Sequence, residues 1–202
     1  MNDGKVDEVQ IEKMIEVLGE NGIKAMVVKT KEDAKTKVLE LIPKGSEVMT
    51  MTSVTLDQIG IASVINDGDD YVSVRKKLSA MDRSIQGREM QAMGAVPEWV
   101  VGSVNALTLE GEVVFASNTG SQMAAYVYGA EHVVWVVGIQ KIVENMEMAM
   151  KRLYEHVLPL ESERAHKAYG VDGSYISKVL TIKREVRKNR INLIIVRESL
   201  GF

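Results

Sequence analysis

Three observations in this sequence predict an α/β fold: a three-layer, Rossmann-like arrangement with a mostly parallel sheet flanked by helices. Helical and strand-like segments alternate through the first fifty residues with short joints between them. Residues 132–138, HVVWVVG, are continuously apolar and β-branched, as a strand buried on both faces requires. Hydroxyl-rich turns follow several predicted strands, which is where open α/β sheets bind ligands.

With 202 residues the chain can bury a full core, and it reads as one domain. The expected division is an N-terminal helix within residues 1–22 and an α/β core over residues 23–202. A net charge of −3 gives no general attraction to nucleic acid or acidic lipid. The absence of cysteine excludes disulfides, thiolate catalysis, Cys-ligated zinc and Cys-held clusters from this sequence. Twelve Met against two Phe point to an adaptable aliphatic core. The opening MNDGKVDEVQ has no apolar signal core, and no apolar run approaches the ~20 residues of a membrane span. A cytoplasmic protein without a membrane partner is therefore expected.

Ile11, Met14, Ile15 and Leu18 share one helical face, and Gly22 stands where that helix should stop. IKAMVVK then reads as a strand. Thr30 with Asp33 three residues on forms a capping-box start, and Ala34, Val38, Leu41 and Ile42 make the buried stripe of a second helix. Pro43 and Gly45 stop it before a strand over residues 47–51. The turn TMTSVTLDQIG, residues 50–60, joins a strand end to a helix start, where unpaired backbone N–H groups favour an anion. Thr52, Ser53 and Thr55 add hydroxyls around Val54; the simpler alternative makes Thr52 or Ser53 an N-cap and nothing more. NDGDD at 66–70 lacks the spaced ligands of a calcium loop and reads as a solvated turn, so no metal site is expected. Residues 81–96 read as a helix ended by Pro97.

The segment from Gly102 to Val143 is the richest in candidate site residues. Residues 99–101 form a strand, and Glu110-Gly111 is a turn signal before EVVF, so a hairpin is expected. That places Ser103, Asn105 and Thr108 near one end of the sheet. Residues 118–121, NTGS, lead into the helical run QMAAYVY, with Thr119 or Asn118 as cap, Ser121 beside them, and Gly120 allowing close backbone approach to a bound group. Gln140 and Lys141 follow the apolar strand at once, at the ligand-binding edge; the alternative for Lys141 is an exposed helix-end residue. Ile142, Met146, Ala149, Met150, Leu153 and Val157 repeat at helical spacing, with Pro159 closing the helix and a charged loop over residues 161–164. The cations Lys183, Arg184, Arg187, Lys188 and Arg190 lack aromatic interleaving and read as a solvated helix face, which weighs against nucleic acid. Residues 192–196 form the last strand. VVGIQK lacks the spacing of a dinucleotide or P-loop fingerprint, so neither NAD nor a Walker-type ATP site is predicted, and no cofactor is expected.

TSVTLDQIG, GSVNALTLEGEVV, NTGSQMAA, VVGIQKIVENMEMAMKR, LPLESER and RESLGF, in this order, resemble the lactate-utilisation (LUD) domain family over almost the whole chain. The resemblance implies a fold like that of sugar-phosphate isomerases, glucosamine-phosphate deaminases and coenzyme A transferases. It also implies a ligand pocket lined by Thr52, Ser53, Val54, Thr55, Ser103, Asn105, Thr108, Thr119, Gly120, Ser121, Gln140 and Lys141, with Glu161 and Arg164 reaching in from later in the chain. Three departures stand out. Similar sequences often read TGNR where this chain has Thr119-Gly120-Ser121-Gln122, which removes a fixed cation. They often read GxNKIV where Gln140 stands, and many carry a cysteine-rich segment where this chain reads AHKAYGVDGSYISK.

Two functions follow. The first, implied by the family, is an accessory protein of lactate or organic-acid utilisation that binds a small carboxylate or phosphorylated metabolite, its redox chemistry held by iron–sulfur-containing partner subunits. The second is a stand-alone isomerase- or transferase-type enzyme acting on a sugar phosphate or acyl thioester. In it Lys141 stabilises a developing enolate or oxyanion and Glu110 moves a proton. A homodimer is the expected assembly on general grounds.

Overall fold

The computed structural model describes residues 6–202; residues 1–5 of the expected N-terminal segment lie outside the described residues. The first helix, α1 (Glu8–Glu20), starts from a capping box between Asp7 and Gln10 and buries Ile11, Met14 and Leu18. Strand β1 (Ile23–Val28) leads to α2 (Lys31–Leu41), where Thr30 and Asp33 form the second capping box. After β2 (Glu47–Thr50) come two short helices, α3 (Val54–Gln58) and α4 (Ile61–Asp67), then β3 (Val72–Ser73) and α5 (Val74–Ser79). The next helix, α6 (Arg83–Ala95), buries none of its residues.

Strand β4 (Trp99–Ser103) is followed by the expected hairpin of β5 (Ala106–Thr108) and β6 (Val113–Ser117), which turns at Glu110 and Gly111. Next come β7 (His132–Gly138) and β8 (Ile142–Val143), helices α7 (Met146–Arg152) and α8 (Leu158–Tyr169), and strands β9 (Lys178–Ile182) and β10 (Ile191–Val196).

Six strands pair in the order β1-β10-β7-β4-β2-β3, parallel throughout. Because side chains alternate across a strand, β7 sends Val133, Trp135 and Val137 to one core and Val134 and Val136 to the other. Helices α2, α3 and α4 cover the second face through Val38, Leu56 and Ile61. The first face meets α1 and a second sheet, β8-β5-β6-β9, through Leu107, Val113 and Phe115. The hairpin thus builds a separate mixed sheet, whose outer face α7 and the turn after it seal through Ala149, Leu153 and Val157. Three layers with helices on both sides of a parallel sheet are what the pattern of elements calls for. Among the described residues no helix is long and apolar enough to cross a membrane.

Four local expectations are corrected. Pro159 does not end the helix that begins at Met146. The chain widens into a π-turn over Leu153–Val157, Leu158 N–H reaches the Leu153 carbonyl five residues back, and Pro159 sits in the first turn of α8, where its missing N–H costs little. Glu161 and Arg164 are consequently helical rather than in a loop, while Ile142 belongs to β8 rather than to the helix. The run from Lys183 to Arg190 is irregular, not helical, and its cations divide: Lys183, Arg184, Arg187 and Lys188 are exposed while Arg190 is buried. Of NDGDD, Asn66 and Asp67 form the end of α4, Asn66 bonds to Thr50 and Ser73, and the other four residues are exposed.

Arg190 clasps the end of the π-turn Ala125–Gly129 to the sheet. It donates to the Ala125 and Ala130 carbonyls at 2.9 Å each and pairs with Glu185 at 2.7 Å, the two side chains being 2% and 9% exposed. Arg190→Met leaves the buried Glu185 carboxylate without its charge partner and strips a donor from the Ala125 and Ala130 carbonyls. We expect a loss of about 3–5 kcal/mol in urea unfolding, the cost of breaking a buried pair from one side; a loss of no more than about 1 kcal/mol, the value of an exposed pair, contradicts this.

Candidate functional site

The C-terminal ends of β2, β4 and β7 lie side by side, and each delivers one part of a polar cluster. A turn of 3₁₀ helix, Ile139–Lys141, follows β7 and drives the Lys141 side chain inward, leaving that residue 2% exposed. Its Nζ donates to Thr55 Oγ1 at 2.9 Å, Ser103 Oγ at 3.0 Å and the Val104 carbonyl at 3.1 Å. Those three acceptors match the three protons of an ammonium, and none is a carboxylate. Burial pulls the Lys141 pKa down from 10.5 to about 7, with the charge of Arg152 adding to the effect.

The cluster forms part of the wall of a cavity of about 1060 Å³. Thr52, Ser53, Val54 and Thr55 line it from the turn after β2, and Ser103 and Asn105 from the end of β4. Thr119, Gly120 and Ser121 approach from the turn after β6, and Glu161 and Arg164 from α8. Ser53 occupies the N-cap position of α3 without a side-chain cap bond, and Thr52 Oγ1 accepts from Arg75. Neither Thr119 nor Asn118 caps the helix after them: Thr119 Oγ1 accepts from Ser121 N–H within the turn, and Asn118 Oδ1 accepts from Ser177. The space a side chain at Gly120 would fill is taken by the stem of Lys178, 2.7 Å from the ideal Cβ.

Three predicted site residues lie elsewhere. Thr108 is fully buried in the second sheet, where its Oγ1 accepts from Glu112 N–H. Gln140 turns away from the cavity and holds residues 200–201, donating to the Leu200 and Gly201 carbonyls and accepting from Leu200 N–H. Glu110 is exposed in the hairpin turn, outside the lining, so it cannot move a proton beside Lys141. Gln140 still shapes the site indirectly, because the segment it grips lies against Lys141. Gly201, at φ +63°, has room for no side chain: an ideal Cβ falls 2.3 Å from Thr55 Oγ1 and 3.2 Å from Lys141 Nζ.

Of the arginines around the cavity, the sequence points to Arg164 alone and gives no sign of Arg75, Arg83 or Arg152. Arg75 lines the cavity and donates through Nη2 to the Thr50 carbonyl at 2.7 Å and to Thr52 Oγ1 at 3.2 Å. Arg83 lines it from the start of α6 and has no hydrogen bond or ion pair among the described residues. Arg164 is neutralised by Glu161 through contacts of 2.6 and 2.7 Å, which raise its pKa, and it also lies over the Tyr169 ring. Behind the wall, Arg152 Nε donates to the Asn105 carbonyl while its Nη2 is buried without a partner. Burial lowers its pKa to about 10. No local pattern marks these residues, since a single arginine on a short helix looks like solvated surface until the fold turns it inward.

The LUD domain family model matches residues 11–196. The chain belongs to the LUD domain family. A crystal structure of a DUF162 family protein from Deinococcus radiodurans at 1.70 Å resolution superimposes with a TM-score of 0.58 at 10% identity, over 93% of this chain and 96% of that one. It shares the fold of this LUD domain chain. Ribose 5-phosphate isomerase A from Neisseria gonorrhoeae gives a TM-score of 0.38 at 12% identity, over 78% of this chain and 76% of that one. A search of the curated proteins gives no match.

The depressed Lys141 pKa carries a linkage sign. Between about pH 7 and 10.5 the unfolded chain holds one proton more than the folded chain, so stability rises with pH across that window. Below about pH 7 the full penalty of the buried charge applies. Relative to Lys141→Met, the wild-type protein should therefore gain on the order of 4 kcal/mol of unfolding free energy between neutral pH and about pH 10. Denaturant unfolding across that range reads it, and a flat difference between the two proteins contradicts it.

Proposed function

We propose that this LUD domain protein binds a small anionic metabolite, a carboxylate or a phosphorylated acid, in the cavity at the strand ends. The observation that carries the reading is the Lys141 ammonium, buried against two hydroxyls and a carbonyl with no carboxylate in contact among the described residues. A buried charge without a counter-ion is costly, and an anionic ligand relieves that cost. The wider lining agrees: among the described residues Arg75, Arg83, Arg164 and Lys141 face the cavity against one carboxylate, that of Glu161, in a chain whose net charge is −3. In keeping with the family's name, we assign the protein an accessory role in organic-acid utilisation, with redox chemistry held by iron–sulfur partner subunits. The reading predicts that the purified protein alone does not oxidise lactate.

Anion binding should favour the charged form of Lys141 and take up a proton above about pH 7. Titration calorimetry with lactate and phosphoglycolate should show affinity falling by about tenfold between pH 7 and 8.5, and Lys141→Met should weaken the binding and remove its pH dependence. Binding that Lys141→Met leaves intact rules out this placement of the ligand, and lactate oxidation by the purified protein alone rules out the accessory role.

A second reading, a stand-alone isomerase or transferase, is favoured by one observation: a lysine titrating near pH 7 can give or take a proton at neutral pH. Without Glu110 that chemistry rests on Lys141. Turnover of a sugar phosphate or acyl thioester that survives unchanged in Lys141→Ala eliminates it.

A further inference from the structure

The cavity is built on a larger scale than a three-carbon acid needs. At about 1060 Å³ it stands at the upper end of the range for drug-sized ligands. Its cations also fall on two sides of the turn over residues 52–55. On one side Lys141 bonds to Thr55 and Ser103. On the other, Arg75 bonds to Thr52 and the Thr50 carbonyl through Nη2 and Nε, leaving Nη1 without a bond among the described residues. Arg83, lining the same cavity, is free of any partner there.

We propose that the ligand carries two separated anionic groups, one received at Lys141 with the Thr55 and Ser103 hydroxyls, the other between Arg75 and Arg83. The proposal rests on the reading of the cavity as an anion site and adds the shape of the ligand. The two subsites differ in chemistry. All three Lys141 protons are donated within the protein, so that end offers a buried positive charge and orienting hydroxyls. The arginine end offers unused guanidinium donors, whose planar fork fits a carboxylate or phosphate in two-point contact. Arg164, by contrast, already has its charge paired by Glu161, which takes its Nε–Nη2 fork in two-point contact, and is not a third subsite. A single compact anion can satisfy only one side of the turn, whereas a two-headed one meets both. Joining the heads through one molecule makes the second contact intramolecular, which multiplies affinity without new protein groups.

The test is titration calorimetry at physiological salt on wild-type protein, Lys141→Met and Arg83→Met. Arg83 is exposed and bonds to nothing among the described residues, so its replacement leaves the fold intact. The probes are monocarboxylates, dicarboxylates of three to six carbons, and phosphoglycolate with 3-phosphoglycerate. The dicarboxylates and the phosphorylated acids distinguish a carboxylate from a phosphate at the arginine end. At least one two-headed anion should bind about tenfold or more tightly than a monocarboxylate of similar length. Arg83→Met should abolish that gain, weakening two-headed anions about tenfold more than monocarboxylates, while Lys141→Met weakens both. Equal binding of one- and two-headed anions overturns the proposal, as does an Arg83→Met effect that is nil or the same for both. If monocarboxylates bind in a Lys141-dependent way without any two-headed gain, this proposal alone fails. If no probe binds, the anion-site reading fails with it.

Discussion

A lysine ammonium removed from water at the end of a parallel sheet needs several elements to agree on its position. Thr55, Ser103 and the Val104 carbonyl hold Lys141, and they come from the ends of β2 and β4, the strands running beside β7 on one side of it. Their placement follows from the register of the sheet, with Ser103 level with Val136 and Thr50 level with Val101. The register in turn depends on the apolar alternation that sends Trp135 to one core and Val134 to the other. Loss of packing anywhere in this central strand group would be felt at the Lys141 contacts, because close-packed interiors transmit strain.

The remaining walls are added around this centre. The hairpin that follows Ser103 leaves the main sheet and founds the second one, so Asn105 faces the cavity while Thr108, three residues on, is sealed inside. The π-turn after α7 lets one helical column continue past Pro159, and this carries Glu161 and Arg164 over the opening. π-turns of this kind often occur near functional sites. The segment gripped by Gln140 brings the backbone of Gly201 against Thr55 and Lys141. Each wall thus depends on a local irregularity, while the floor is set by regular strands.

Much of this was legible from residue pattern. The two capping boxes, at Asp7 and Thr30, announce helices by reciprocal side-chain bonds that need no tertiary help. The apolar run at residues 132–138 could only be a strand covered on both faces, and polar residues just past a strand end in such a sheet face the ligand edge. That logic placed Thr55, Ser103 and Lys141 together. It failed where one residue type has two uses. Proline after a helical run signals a stop, yet it is equally at home in a first helical turn. The cations from Lys183 to Arg190 pattern as one solvated face, but Arg190 is drawn inside by Glu185 and two carbonyls.

The sequence by itself determined the class of fold, the order of its main elements and the strand ends beside which the cavity lies, because periodicity, capping and turn chemistry act over a few neighbouring residues. Only the tertiary structure decided which polar side chains share that pocket. It turned Arg75 and Arg83 toward the cavity, set Gln140 to gripping the chain's last residues, and left Glu110 in solvent. The physical reason is that burial and charge pairing are settled by groups far apart in the chain: Lys141 is 86 residues from Thr55 and 38 from Ser103. Its ammonium loses its water only when all three segments close around it.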